Sequence, residues 1–253
     1  MTAEIRTVLV TGAAARIGRA IALDLARAGW AVAIHYNSSE AEAQSAAEAA
    51  QKEGARVALV KADLARENET AALIGRATAA LGPVTALVNS ASLFEYDDWQ
   101  STTRQSWDAH LETNLRAPFV LIQEFARALP GGMTGAVVNL IDQRVLKPTP
   151  QFMSYSVSKA GLHWLTTTLA QALAPRIRVN AVAPGPTLRN ARQSEADFAR
   201  QRAATILGCG AAPEDVCGAV RYLLDAEAVT GQMIAVDGGQ HLIWQTPDVN
   251  VKE

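Results

Sequence analysis

Seven apolar, strand-like runs alternate with alanine-rich helical segments along the chain, and that alternation leaves few folds open. The runs are Thr7–Thr11, Ala31–Tyr36, Arg56–Val60, Ala86–Asn89, Ala136–Ile141, Ile177–Ala181 and Met233–Val236. They are apolar almost throughout rather than at every second residue, so both faces of each strand need cover. Amphipathic helices between successive strands supply it and make the strands parallel. The expected fold class is α/β, a doubly wound parallel sheet of about seven strands with helices on both faces. With 253 residues, no internal repeat and no linker, one domain spanning 1–253 is expected.

The remaining composition narrows the partners. A net charge of -2 with scattered Lys and Arg offers no basic stripe for nucleic acid and no polybasic membrane patch, so a small-molecule substrate is expected. The first residues, MTAEIRTVLVTG, enter a strand without a charged-then-apolar leader, and no apolar run approaches about 18 residues, so the expected location is cytoplasmic. Cys209 and Cys217 are the only cysteines, too few for a metal cage, and are read as reduced structural thiols. No metal is expected.

Ligands of such sheets bind beyond the carboxyl ends of the strands. After the first run comes Thr11-Gly12-Ala13-Ala14-Ala15-Arg16-Ile17-Gly18, then a helix through Ala28. Glycines at a strand-to-helix turn let backbone N–H groups approach a pyrophosphate at the positive helix end. We read Gly12, Arg16, Ile17 and Gly18 as dinucleotide-binding, with mere turn punctuation and a solvated Arg16 as the alternative. The second run ends at His35-Tyr36-Asn37-Ser38-Ser39, with no carboxylate before Glu40 to hold a ribose 2′-hydroxyl. That absence, two serine hydroxyls and nearby Arg16 suit a 2′-phosphate, so NADPH is expected over NADH. A polar turn capping a helix from about Ser39 to Lys52 is the plain alternative.

Asp63-Leu64 follows the third run, where the carboxylate could accept from an adenine amino group or cap a helix. Asn89-Ser90-Ala91-Ser92 are small enough for backbone to meet the nicotinamide ribose, and Phe94 could stack on a flat substrate or simply pack. Asn114 falls within a helical segment from about Thr102 to Ala128. After the sixth run, Pro184-Gly185-Pro186-Thr187 makes a rigid turn for the carboxamide end of the cofactor, with Leu188 beside the substrate. Residues 189–206, charged and poor in large apolar groups, read as a mobile flap or as a solvated helix. Trp244 in the tail could mark a subunit contact.

The chemistry concentrates between Val137 and Ala160. Tyr155 and Lys159 stand four residues apart, one helical turn, and serve one pocket. A lysine charge about 4 Å away at an effective dielectric of about 20 is worth roughly 4 kcal/mol. That would lower a phenol pKa by about three units before desolvation pushes back, making Tyr155 a general acid. Asp142 closes the preceding strand.

Taken together, TGAAARIG, the NSAS of Asn89–Ser92, Asn114, the YSVSK of Tyr155–Lys159, the PGPT of Pro184–Thr187 and the VDGG of Val236–Gly239 resemble the short-chain dehydrogenase/reductase family over essentially the whole chain. The resemblance implies a Rossmann-type sheet, a nicotinamide cofactor and hydride transfer. Tyr155 would be the acid/base, Lys159 would bind ribose hydroxyls, and Asn114 would hold a water in the proton relay. It also implies a homotetramer built on the long helices after the fourth and fifth strands and on the last strand. Three positions depart from the common pattern: Arg16 replaces a glycine, Ser90 and Ser92 replace an asparagine and a glycine, and Asp142 replaces a serine. Arg16, Ser92-x-Phe94 and Asp142 together resemble the pteridine reductases, including bacterial dihydromonapterin and dihydrofolate reductases. There the matching arginine and serine contact cofactor or substrate, the phenylalanine stacks on the pterin, and the aspartate joins the tyrosine in proton delivery.

Asp142 changes what the pocket can take. An ionised carboxylate only accepts, so a ketone oxygen against it would cost on the order of 1–3 kcal/mol if buried. A ring bearing N–H or amino donors avoids that cost, and a protonated Asp142 could deliver a proton to a C=N bond. A negative Asp142 would oppose Lys159 by raising the tyrosine pKa, so that Tyr155 orients or relays more than it ionises. The expectation is an NADPH-dependent reductase of a pterin-like heterocycle. A ketone, 3-oxoacyl or sugar-alcohol dehydrogenase is the alternative, and a nonenzymatic NADPH-binding module a more distant one.

Overall fold

A computed structural model describes residues 6–246 and 249. The strands are β1 Thr7–Val10, β2 Ala31–Tyr36, β3 Val57–Lys61, β4 Ala86–Asn89, β5 Gly135–Leu140, β6 Ile177–Pro184 and β7 Met233–Val236. Among the described residues they form one parallel sheet in the order β3-β2-β1-β4-β5-β6-β7. The helices are α1 Arg16–Arg27, α2 Glu40–Lys52, α3 Glu67–Ala71, α4 Leu73–Leu81, α5 Arg104–Leu111, α6 Ala117–Ala128, α7 Met153–Leu173, α8 Glu195–Ala203 and α9 Pro213–Asp225. This is the single-domain Rossmann-type fold.

Every residue of β1, β2, β4 and β5 is buried, the consequence of helices on both faces. On one face, Ile21 and Leu25 of α1 and Val220 and Leu223 of α9 share a core with Val10, Ile34 and Val138. On the other, Leu73 of α4 and Leu121, Ile122 and Phe125 of α6 share a core with Leu9, Leu87 and Val137. Each such side chain stabilises the fold by about 1.5–3 kcal/mol. Helix α2 buries Ala43, Ala46, Ala47 and Ala50, a helical stripe of small residues.

Some boundaries differ from those read in the sequence. The third strand is shifted one residue onward from Arg56–Val60, and β6 runs on to Pro184, so that proline ends a strand rather than opening a turn. Strand β5 stops at Leu140, leaving Asp142 two residues past its end. Helix α1 ends at Arg27, and α2 starts at Glu40 without a side-chain cap from Ser39. The segment read as one helix from Thr102 to Ala128 is α5 and α6 joined by a π-helical turn over Glu112–Arg116. Residues 1–5, read for a leader, lie outside the described residues, as do parts of the tail beyond Trp244.

Candidate active site

The strand order reverses direction between β1 and β4, and the crevice of a doubly wound sheet opens at that switch point. The turn after β1 lies there. Gly12 has φ +64, and a Cβ on it would stand 2.8 Å from the Ala91 Cα, while a Cβ on Gly18 would collide with the Gly12 carbonyl. Thr11 ties the two loops together, its Oγ1 accepting from the N–H groups of Ser90 at 2.9 Å and Ala91 at 3.0 Å. Helix α1 begins after Ala15 with no side-chain cap and no acid in its first turn, leaving its N–H groups to a phosphate. These residues fit a dinucleotide.

His35 supports that turn from beneath. Its Nδ1 accepts from the Gly12 N–H at 3.0 Å, and its Nε2 pairs with the Ala62 carbonyl at 3.2 Å. The ring is buried and neutral, its pKa pushed down to about 4 chiefly by burial. His35 thus holds the turn after β1 in place. Between pH 6.5 and about 4 the unfolded chain takes up a proton that the native ring refuses, so stability falls on acidification. At 1.36 kcal/mol per unit the loss should approach about 3 kcal/mol. Denaturant melts of wild type and His35→Asn across that range should show the loss in the wild type and a flatter profile in the variant.

Tyr36 is buried, while Asn37, Ser38 and Ser39 are exposed beyond β2. Glu40 faces Lys61 at 3.8 Å. Asp63 Oδ1 accepts from the Ala65 N–H at 3.0 Å and Leu64 is buried, so the carboxylate shapes the turn ahead of α3. Asn89 lies inside the sheet, its Nδ2 donating to Asn139 Oδ1 at 2.8 Å.

A cleft of about 650 Å³ adjoins this crevice, lined by Arg16, Ile17, Ser90, Ser92, Phe94, Asp142, Tyr155, Lys159, Pro184, Gly185, Thr187 and Leu188 among others. Helix α7 carries Tyr155 and Lys159 into it. The Tyr155 hydroxyl donates to Asp142 Oδ2 at 2.8 Å, and Lys159 Nζ donates to the Leu140 carbonyl at 2.8 Å. Of the two opposing influences expected on the tyrosine, lowering by Lys159 and raising by Asp142, the second prevails. Lys159 Nζ lies 5.8 Å from the Tyr155 ring centre, and the phenol is pushed well above 10 by burial and by the neighbouring Asp142, with Arg144 and Ser92 opposing. Burial lowers Lys159 to about 8 and raises Asp142. Tyr155 is therefore a neutral phenol hydrogen-bonded to Asp142 rather than a standing phenolate.

Asn114 is fully buried at the π-helical turn. Its Oδ1 accepts from the Leu93 N–H and its Nδ2 donates to the Leu93 carbonyl, both at 2.8 Å, with Ser158 Oγ at 3.2 Å. It fixes the loop that carries Ser92 and Phe94 against the helix of Tyr155. Phe94 stacks on Phe152 with centroids 4.4 Å apart and meets Tyr155 edge-on at 4.7 Å. Arg16 crosses the cleft, donating to the carbonyls of Arg189 at 3.0 Å and Leu188 at 3.1 Å. The 189–206 segment contains the helix α8, none of whose residues is fully buried.

Several neighbours of the site were not picked out from the sequence. Phe152 has φ 56 and supplies the second ring of the stack. Arg192 donates to the Phe94 carbonyl and pairs with Glu95 Oε2, each at 2.7 Å, tying the 189–206 segment to the phenylalanine loop. Buried Asp97 accepts from the Ser154 N–H at 3.1 Å and from the Ser154 hydroxyl, anchoring the first turn of α7 beside Tyr155. His110 Nδ1 lies 2.7 Å from that hydroxyl. Arg144, two residues after Asp142, also faces the cleft. Its position just past a strand end was a usable signal; the link from Asp97 to Ser154, 57 residues apart, was not.

Comparison with known proteins agrees with this geometry. The family model described as enoyl-(acyl carrier protein) reductase matches residues 12–241. The chain belongs to the short-chain dehydrogenase/reductase family. This reductase is 47% identical to FolM alternative dihydrofolate reductase 1 from Brucella canis, crystallised with NADP, over 96% of this chain and 97% of that one, with a TM-score of 0.93. The FolM alternative dihydrofolate reductase 1 of Brucella suis, also in complex with NADP, gives the same identity and TM-score over 98% and 99%. The 3-oxoacyl-[acyl-carrier-protein] reductase FabG of Staphylococcus epidermidis is 32% identical over 94% of this chain and 99% of its own length. The chain is an NADP-dependent oxidoreductase of this family. No helix among its described residues is long and apolar enough to cross a membrane, and no group of His, Cys, Asp and Glu among them could hold a metal ion.

Proposed function

We propose that this reductase reduces a C=N bond of a pterin-like heterocycle of the dihydropterin or dihydrofolate type. One observation carries the reading: the Asp142 carboxyl lies in the cleft and receives the Tyr155 hydroxyl at 2.8 Å, where the common family pattern has a neutral serine. When bound, NADPH supplies the hydride. Gly12, Arg16, Ile17 and Gly18 would hold its pyrophosphate, Asn37 to Ser39 its 2′-phosphate, Asn89 to Ala91 and Lys159 its nicotinamide ribose, and Pro184 to Thr187 its carboxamide. Asp63 and Leu64 would meet its adenine.

The chain's own task is the proton. A ring nitrogen becoming an amine needs a donor beside it, and the Asp142–Tyr155 pair holds one or two protons in a half-closed site. Lys159, with a pKa of about 8, keeps positive charge near a pair that turns negative once a proton leaves. Phe94 and Leu188 offer apolar contact to a flat ring, and Ser92 a hydroxyl at its edge. The likeness to the two FolM reductases supports the same substrate class.

The FabG relative favours a second reading, reduction of a 3-oxoacyl or other ketone. Purified protein with NADPH should lose absorbance at the reduced-cofactor band on adding dihydropterin or dihydrofolate, and should be slower with a panel of 3-oxoacyl thioesters, ketones and polyols. Turnover of a ketone with none of any pterin would overturn the proposal. We also infer a cytoplasmic homotetramer: Trp164 on α7 is 73% exposed, and Leu111, Leu115, Phe119 and Leu165 line an open apolar groove.

A further inference from the structure

We propose that Arg144 is a positioning residue that sets the charge of Asp142. The two are joined twice just past the end of β5. The backbone N–H of Arg144, which any residue there would supply, donates to Asp142 Oδ1 at 2.8 Å, and the side chain adds a guanidinium whose Nε stands 4.0 Å from the same oxygen. The guanidinium is held there, because Nη1 donates to Thr149 Oγ1 at 2.8 Å and the group lies over the Phe152 ring at 5.0 Å. Both side chains are mostly shielded from water, 18% and 19% exposed, so screening of the pair is weak.

The other titratable groups facing Asp142 come from α7. Tyr155 donates to Oδ2, and Lys159 turns its ammonium to the Leu140 carbonyl. Burial pushes the Asp142 carboxyl up; the backbone N–H of residue 144 is the foremost influence pulling it back, and the Arg144 guanidinium is the foremost side chain doing so, ahead of Tyr155 and Lys159. Arg144 therefore governs the pH at which the Asp142–Tyr155 pair passes from two protons to one. On the pterin reading, that is the pH at which the pair gains or loses its acidic donor.

The test is a carbon-13 titration of the Asp142 carboxyl in the full chain without substrate, assigned by the signal missing in Asp142→Asn. An opposite charge this close lowers a carboxyl by about one to three units, so Arg144→Gln should raise the midpoint by about that amount. The acid-side limb of kcat/KM for a dihydropteridine should move upward with it, with NADPH affinity unchanged. An unmoved midpoint in folded Arg144→Gln overturns the proposal. Should that variant not fold, Arg144→Met carries the test: an uncharged chain of similar length must leave the midpoint measurably higher, and no rise overturns the proposal. If no pterin is turned over by the wild type, the substrate reading fails while the titration still decides the role of Arg144.

Discussion

Tyr155→Phe should lower kcat by about 10² to 10⁴, the range typical of losing a positioned general acid, with NADPH affinity close to wild type. The phenol is buried, neutral and donates to Asp142, so removing its oxygen deletes the proton path without disturbing the ring packing against Phe94 and His110. Lys159 keeps its own bond to the Leu140 carbonyl and does not depend on the hydroxyl. Steady-state kinetics with NADPH and a dihydropteridine, beside a direct binding titration of NADPH, would check this. A variant with near-normal turnover would remove Tyr155 from proton transfer and leave Asp142 to act alone.

Asp142→Asn should cost at least about 10² in kcat, for a different reason. The amide oxygen can still accept from the Arg144 N–H while the amide nitrogen, in place of Oδ2, donates to the Tyr155 oxygen, so the cleft keeps its shape, but an amide neither ionises nor donates an acidic proton. The tyrosine should respond as well. Asp142 is among the causes that raise the phenol, so its neutralisation lowers the Tyr155 pKa and moves the basic limb of the pH profile to lower pH. Equal losses of turnover and NADPH affinity would assign Asp142 to folding instead.

How far these features were legible in the sequence follows from which of them are local. The runs of β1, β2, β4 and β5 were readable because a strand covered on both faces is apolar at every position, a property of a few consecutive residues. Tyr155 and Lys159 were readable because four residues make about one helical turn. The opposing pulls of Lys159 and Asp142 on Tyr155 were readable too, but not their balance, because it depends on burial and on a carboxylate thirteen residues away whose orientation no spacing dictates. The same limit hid the Asp97–Ser154 anchor and the Phe94–Phe152 stack, whose partners meet only after the loops following β4 and β5 fold over one cleft. His35 was placed at the cofactor turn by its position in the chain. Only coordinates reveal that its ring grips the Gly12 amide.

The π-helical turn at Glu112–Arg116 has a consequence for anyone altering this chain. A π-helical turn accommodates one more residue than an α-helical one, so deleting a single position there would let α5 and α6 run on as a regular α-helix and draw the Asn114 amide out of register with Leu93. Between α5 and α6 it is the tally of residues, more than their chemistry, that aims the amide, and insertions or grafts that ignore that tally would disable the site while leaving the composition almost untouched.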